Sequence, residues 1–370
     1  MGMISSMLSI KEISIQGYDK VIEVINKEAG LHGFIAIHSC ALGPAMGGIR
    51  IYPYKSKEDA LTDALRLSKA MTYKSAIAED GLGGGKSVII ADPDKDKNET
   101  LLLAYGEALD TLGGMYIAAE DVGTNTEDMM VIRKRTPYVA ALPLDKSSGD
   151  PSRFTAWGVY QGLRAVARTL WQNPSLRGKK IAMQGLGSVG SKLANILFWE
   201  GANLIVSDIN PLKEHKIATL YGAQVVPNKD IFSIECDIFV PCALGGVIND
   251  ETIPQFKCKA IAGAANNQLL EARHGIELLK RNILYAPDYV INAGGIINAA
   301  MEFDPEGYHP TVSRDKVNHI YDTLMHIFDL AKKEGKPTCM VADQLAESNV
   351  RNLIGKRKKP INFAAIVGNS

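Results

Sequence analysis

Two lysines twelve residues apart are the first candidates for chemistry: Lys74 ends Met71-Thr-Tyr-Lys74, and Lys86 follows the glycines of Leu82-Gly-Gly-Gly-Lys86. Lysines buried at a glycine-lined surface suit anion binding and proton transfer, because desolvation lowers an ammonium toward the range of a general base. Asp121, in Ala118-Ala-Glu-Asp-Val-Gly-Thr124, ends a strand-like run. A carboxylate there is either ligand-facing, as α/β folds arrange such groups, or the cap of a turn. The run Gly81-Leu-Gly-Gly-Gly-Lys86-Ser87 is not a P-loop, because Asp80 stands where the first glycine is required and the segment leads from helix into strand.

A third candidate is Gly185-Leu186-Gly187-Ser188-Val189-Gly190, set between a strand, Lys179 to Gln184, and a helical pattern over 191–200. The next strand, Asn203 to Ser207, ends in Asp208, 23 residues after the first glycine. That context makes the turn a dinucleotide-binding signal. Gly185 permits the tight turn, Gly187 lets a pyrophosphate approach the backbone, and Gly190 lets the helix pack on the sheet with its N–H groups toward the phosphate. Asp208 can accept from both ribose hydroxyls and would repel a 2′-phosphate, so NAD is expected rather than NADP.

The elements that must position these groups alternate. Residues 18–28 have helical spacing, 33–39 read as a strand, and Gly43-Pro-Ala-Met-Gly-Gly-Ile-Arg50 reads as a glycine-rich loop. Ser56 with Asp59 resembles a capping box and opens an amphipathic helix that ends just before Lys74. Helix 99–112, strand 115–119, helix 126–135 and helix 155–170 follow, then strands 237–240, 259–262 and 283–285, and helix from about 312 to 354. The turn formers of Ser147-Ser-Gly-Asp-Pro151 mark a domain boundary. This predicts an α/β protein of two domains with a cleft between them: 1–147 for substrate and oligomerisation, 148–330 a Rossmann-type NAD domain, and a helical segment 331–370 returning to the first. The basic stretch Lys356-Arg-Lys-Lys359 reads as a solvated tail or interface element.

Composition narrows the partners. With 370 residues, 46% apolar and 22% charged and a formal net charge of zero, the chain has the balance of a globular protein and no basic surplus for nucleic acid or an anionic membrane. No apolar run approaches roughly 18 residues, and the start lacks a secretory pattern, so the cytoplasm is the expected compartment. Five scattered cysteines without a CxxC pair indicate neither disulfides nor a metal site.

Seven motifs, in order, carry a resemblance: Gly43 to Arg50, Met71 to Lys74, Gly83 to Lys86, Ala119-Glu-Asp-Val-Gly123, Pro241-Cys-Ala-Leu-Gly245, Ala265-Asn-Asn-Gln268 and Pro287-Asp-Tyr-Val-Ile-Asn-Ala-Gly-Gly295. On these the chain resembles the amino-acid dehydrogenases of the glutamate/leucine/phenylalanine/valine family, and most closely its leucine-using branch. The resemblance implies reversible NAD-dependent oxidative deamination of an L-amino acid to the 2-oxo acid and ammonia, by a homo-oligomer, an octamer in that branch. It assigns Lys74 and Asn267 to the substrate carboxylate, Lys86 to catalysis, Asp121 to proton relay, and Thr155 and Asn266 to the cofactor. Lys74 would be the second ammonium that lowers Lys86.

The side-chain pocket implied by the resemblance is Met46, Ala119, Ile296 and Ala299. Glutamate-using relatives place a lysine where Met46 stands, and an apolar pocket would leave a γ-carboxylate uncompensated. Alanine rather than glycine at 119 favours leucine, isoleucine and valine. Ala299 and Met46 depart from the valine and leucine of the leucine-using branch, which keeps phenylalanine or another aromatic substrate as the alternative. Glu79-Asp80-Gly81 also departs from that branch and could alter acidity around Lys86. A non-catalytic NAD- or amino-acid-binding regulator is the reading from another class; the presence of both lysines and Asp121 speaks against it.

Overall fold

The structure, a computed structural model, describes residues 8–142 and 147–363. It divides into two compact units. The first holds the chain up to Asp150 together with 299–309 and the residues from Glu347 on; the second holds Pro151–Asn298 and Pro310–Ala346.

The first unit begins with β1 (Ser9–Glu12), β2 (Lys20–Asn26), β3 (Leu31–Ser39), β4 (Ala45–Tyr52), α1 (Lys57–Ala78), β5 (Gly83–Ile90), α2 (Glu99–Asp110), β6 (Tyr116–Glu120) and α3 (Thr126–Arg133). The strands form one sheet in the order β1-β2-β3-β5-β4-β6, with β4 parallel to both neighbours and the rest antiparallel. Both faces are covered. Ile22, Val24, Ile35 and Ile49 pack with Leu101, Tyr105 and Leu109 of α2 on one side, and Val21, Phe34 and Val88 pack with Ala60 and Ala64 of α1 on the other.

That double burial explains two departures from the sequence reading. Residues 18–28 show helical spacing yet contain β2, because a strand buried on both faces is apolar almost continuously and loses its alternation. The glycine-rich segment 43–50 is likewise mostly β4, buried from Ala45 to Ile49. Lys74 does not follow α1 but lies inside it, since the helix continues to Ala78 and ends on Glu79 in the left-handed region at φ 49°.

The second unit continues with α4 (Ser152–Trp171), β7 (Lys180–Gln184), α5 (Ser188–Trp199), β8 (Asn203–Ser207), α6 (Pro211–Tyr221), β9 (Gln224–Val225), β10 (Ile238–Pro241), β11 (Ala260–Ile261), α7 (Arg273–Lys280), β12 (Leu284–Tyr285), α8 (Asp288–Ile291), α9 (Gly294–Ala300), α10 (Pro310–Asn318), α11 (Ile320–Glu334) and α12 (Thr338–Arg351). Its sheet is wholly parallel, in the order β12-β11-β10-β7-β8-β9. The order reverses at β7, the switch point where doubly wound sheets bind ligands. The glycine turn 185–190 leaves from β7.

The chain therefore passes between units more often than a simple N- and C-terminal division implies. The expected segment 331–370 divides at Glu347, and 299–309 belong with the first unit. Glu302 ties that return: its carboxylate is buried and accepts from the Ala141 and Ser148 N–H groups and the Ser147 hydroxyl, at 3.2, 2.6 and 2.7 Å. Among the described residues no helix is long and apolar enough to cross a membrane, no acidic, cysteine or histidine group is placed to hold a metal ion, and all five cysteines are thiols.

Candidate active site

On the first unit, β4 runs between β5, which bears Lys86, and β6, which Asp121 follows. A Cβ on Gly48 of β4 would lie 2.6 Å from the Asp121 Cβ and 3.2 Å from the Lys86 Nζ. The missing side chain thus lets the lysine reach across a strand to the carboxylate, with Nζ 2.9 Å from Oδ2. Gly84 has a different task. Its Cβ would fall 2.0 Å from the backbone nitrogen of Thr72, so the glycine brings the α1 turn carrying Lys74 hard against β5. The glycines before Lys86 serve close packing and strand formation, not an anion-binding loop.

Arg50 donates from Nε to the same Asp121 oxygen at 2.9 Å and from Nη1 to Asp63 Oδ2 at 3.0 Å. Tyr54 donates to that Asp63 oxygen at 2.6 Å, and Arg66 to its Oδ1 at 2.7 Å. A continuous polar chain results, Lys86–Asp121–Arg50–Asp63–Tyr54, drawn from β5, β4, α1 and two loops. Thr124 Oγ1 accepts the Asp121 backbone N–H at 2.9 Å, and Asn125 caps α3. The Asp121 carboxylate therefore faces the lysine and does not cap the turn.

Lys86 is only 5% exposed. Burial lowers its pKa below the usual lysine value; the Asp121 charge opposes this and the Arg50 charge adds to it. Burial by itself would raise Asp121, but the charges of Lys86 and Arg50 and their hydrogen bonds outweigh it and hold the carboxyl down at about 2. The shared ion pair favours charge on both groups, and desolvation prevails only for the lysine, the more deeply buried of the two. Arg50, which the sequence did not single out, is a cation that weighs on Lys86. The acids that raise its pKa include Asp121 and Asp63.

Lys74 is half-buried on α1. Met46 is buried on β4 two residues before Gly48, and Ala119 is the register partner of Gly48 across β6, so all three share one face of the sheet. Ile296 and Ala299, both buried, lie three apart on α9 and so on one side of that helix.

On the second unit, Gly185 sits at φ +96°, and a Cβ on Gly190 would come 2.1 Å from the Gly185 carbonyl oxygen. At Gly187 a Cβ would meet nothing within 4 Å. Two glycines are thus consumed by internal packing and the middle one fronts open space, as a backbone approached by pyrophosphate requires. Helix α5 starts at Ser188 with Gly187 as its cap residue and no side-chain cap hydrogen bond, an arrangement that suits helix N-terminal donors to an anion. Asp208 is held beside the turn: its Oδ2 accepts from the Leu186 N–H at 2.6 Å and its Oδ1 from the Asn210 N–H at 2.8 Å. Each oxygen keeps a further lone pair for a ribose hydroxyl.

Thr155 donates to the Pro151 carbonyl at 3.1 Å, and a Cβ on Gly295 would come 2.7 Å from its hydroxyl oxygen. Asn266 accepts from Asn292 at 2.8 Å, and Asn267 is in the left-handed region at φ 51°, with its carbonyl accepting from the Gly246 N–H at 2.7 Å. The residues that the sequence reading missed are Arg50, Asp63 and Tyr54. Arg50 stood inside a motif that reads as a loop, so nothing in the sequence marked it as lying on a mostly buried strand.

Two family models match: Glu/Leu/Phe/Val dehydrogenase, dimerisation domain, over 19–138, and Glutamate/Leucine/Phenylalanine/Valine dehydrogenase over 206–349. Leucine dehydrogenase of Thermoactinomyces intermedius is 49% identical over 334 residues, 90% of this chain and 91% of that one. Phenylalanine dehydrogenase of Caldalkalibacillus thermarum is 46% identical over 345 residues, 91% and 92% of the two chains. The crystal structure of L-tryptophan dehydrogenase from Nostoc punctiforme superposes with a TM-score of 0.80 at 44% identity, covering 91% of this chain and 97% of that one.

Proposed function

The chain belongs to the Glu/Leu/Phe/Val dehydrogenase family of amino-acid dehydrogenases, and from that premise we propose that it catalyses NAD-dependent, reversible oxidative deamination of branched-chain L-amino acids. The carrying observation is the buried Lys86, 2.9 Å from Asp121 and lowered by its burial.

The Gly185–Gly190 turn, Asp208, Thr155 and Asn266 fit NAD, and when bound the nicotinamide supplies the acceptor for the substrate Cα hydride. The protein's own groups do the rest. Lys74 and Asn267 hold the substrate carboxylate, which fixes Cα and its amine. Neutral Lys86 takes a proton from the substrate ammonium so that the amine lone pair can assist hydride departure. Once that proton has passed to solvent, Lys86 takes a second one from the water that adds to the iminium carbon and returns it to the nitrogen, and ammonia leaves as the hydroxyl proton is lost and the carbonyl forms. Asp121, held ionised at about 2, orients Lys86 in the resting site. As Lys86 gives up its charge the force keeping Asp121 ionised weakens, which is when a proton can pass along their contact.

Met46, Ala119, Ile296 and Ala299, the residues that the resemblance assigns to the substrate side chain, are all apolar and supply no cation for a γ-carboxylate, so leucine, isoleucine and valine suit them. A methylene is worth about 1–3 kcal/mol there, so activity will spread across these substrates. The second reading, phenylalanine or tryptophan, is favoured by Ala299 and by relatives named for those substrates at 46% and 44% identity. The dimerisation-domain match supports an oligomer, for which we propose an octamer in the cytoplasm. NADH formation with leucine, isoleucine, valine, phenylalanine, tryptophan and glutamate tests the reading: highest kcat/KM is expected for leucine. A preference for phenylalanine or tryptophan selects the second reading, and no turnover on any of them removes the enzyme reading.

A further inference from the structure

The basic stretch 356–359 is not uniformly solvated. Lys356, Lys358 and Lys359 are exposed, whereas Arg357 is drawn inward and half-buried. Its backbone N–H donates to the Leu42 carbonyl at 2.8 Å, its Nε to the Gly81 carbonyl at 3.0 Å, and its Nη1 to the Phe303 carbonyl at 2.9 Å. All four residues lie in the first unit.

Each carbonyl sits at a joint of the substrate-side machinery. Leu42 is in the loop that feeds β4, and so Met46, Gly48 and Arg50. Gly81 is in the turn joining α1 to β5, and so Lys74 to Lys86. Phe303 follows α9 and Ala299 and is next to Glu302, whose carboxylate accepts from Ala141, Ser147 and Ser148. The Arg357 Cβ lies 3.4 Å from where a Gly81 Cβ would stand and 3.5 Å from that of Gly43, and neither glycine could carry one without strain, at φ +74° and +157°. The rest of the tail continues the contact: Gly355 packs on Glu79, and the Phe363 ring meets Tyr138 edge-on with centroids 4.8 Å apart.

Asp80, one of the departures noted between the two lysines, belongs to this arrangement. Its Oδ1 accepts the Leu82 N–H at 3.0 Å, and burial of the Arg357 guanidinium is opposed by the charges of Asp80 and Asp304.

We propose that Arg357 is a positioning residue for the reaction: one guanidinium and its backbone N–H lock the three joints that set the relative placement of Lys74, Lys86, Met46 and Ala299. The proposal rests on the amino-acid dehydrogenase reading and adds the element that holds its substrate side in register.

Arg357→Met keeps the apolar stem and removes every side-chain donor. The expected result is a fall of roughly 10- to 100-fold in kcat for the preferred amino acid, the effect of misplacing reacting groups by about an ångström. NADH affinity, read by fluorescence, stays at the wild-type value because the cofactor-side groups belong to the other unit. Arg357→Lys, with a cation but no fork to reach two carbonyls, falls between the two. A kcat for Arg357→Met within roughly twofold of wild type in a folded protein overturns the proposal, as does an equal loss of NADH affinity. If Arg357→Met does not fold, Arg357→Lys decides: wild-type kcat overturns the proposal and an intermediate kcat supports it. Hydrogen exchange separates this from failure of the reaction reading. Should the wild type oxidise no amino acid, faster exchange at residues 40–44 and 79–83 in the variant still supports the lock, and unchanged exchange there overturns it.

Discussion

In the second unit, the groups suited to the pyrophosphate and ribose of a dinucleotide lie close together in sequence, from Gly185 to Asp208, and are backbone N–H groups with one carboxylate. In the first, Arg50, Asp63, Lys86 and Asp121 come from separate elements, all are charged, and each depends on the next. The glycine turn needs only correct backbone geometry and open space. The charge chain needs burial, a glycine gap at position 48 and a balance between desolvation and pairing. A local backbone site can be altered piece by piece, whereas in a coupled charge chain a change at one member is felt at the others.

The largest effect that could break this contrast is at Lys86. Replacing it with alanine should lower kcat by about 10²–10⁴, the usual contribution of a positioned general base, while NADH binding is kept. Stopped-flow measurement of the hydride step together with NADH fluorescence checks both halves. Undiminished turnover in Lys86→Ala would remove the lysine from its role. Next in size is Asp208→Ala on the other unit. Loss of a charged acceptor for the ribose should lower kcat/KM for NAD roughly 10- to 100-fold and relax discrimination against NADP, with the KM for amino acid unchanged. A changed amino-acid KM with NAD use intact would undo the separation of the two sites.

The same contrast governs what the sequence could reveal. The turn after β7, its helix and Asp208 were readable because strand, glycines, helix and carboxylate follow one another, and the doubly wound sheet came with them. Lys86 and Asp121 could be singled out by type and position, yet their partner could not. Arg50 reaches Asp121 only because β4 lies between β5 and β6, a strand order set by long-range pairing and not by local pattern. β2 was hidden for a related reason, since burial on both faces erases alternation. Arg357 was hidden by its neighbours: three exposed lysines made the stretch look solvated, and only its contacts with Leu42, Gly81 and Phe303 show the exception.

The smallest expected effect is also the one with a fixed sign. Lys86 must be neutral to act as base, so kcat/KM for deamination should rise with pH through its pKa. The Asp121 charge raises that pKa and the Arg50 charge lowers it. Asp121→Asn should therefore move the rising limb to lower pH, and Arg50→Met should move it to higher pH. A purely structural disturbance would move both in the same direction or neither. The double variant completes the cycle: if Arg50 acts on Lys86 only by steadying Asp121, removing it after Asp121→Asn should leave the limb where the single variant put it. If its own charge reaches Lys86, the limb should move back toward alkaline pH, and the size of that return measures the direct part of the coupling.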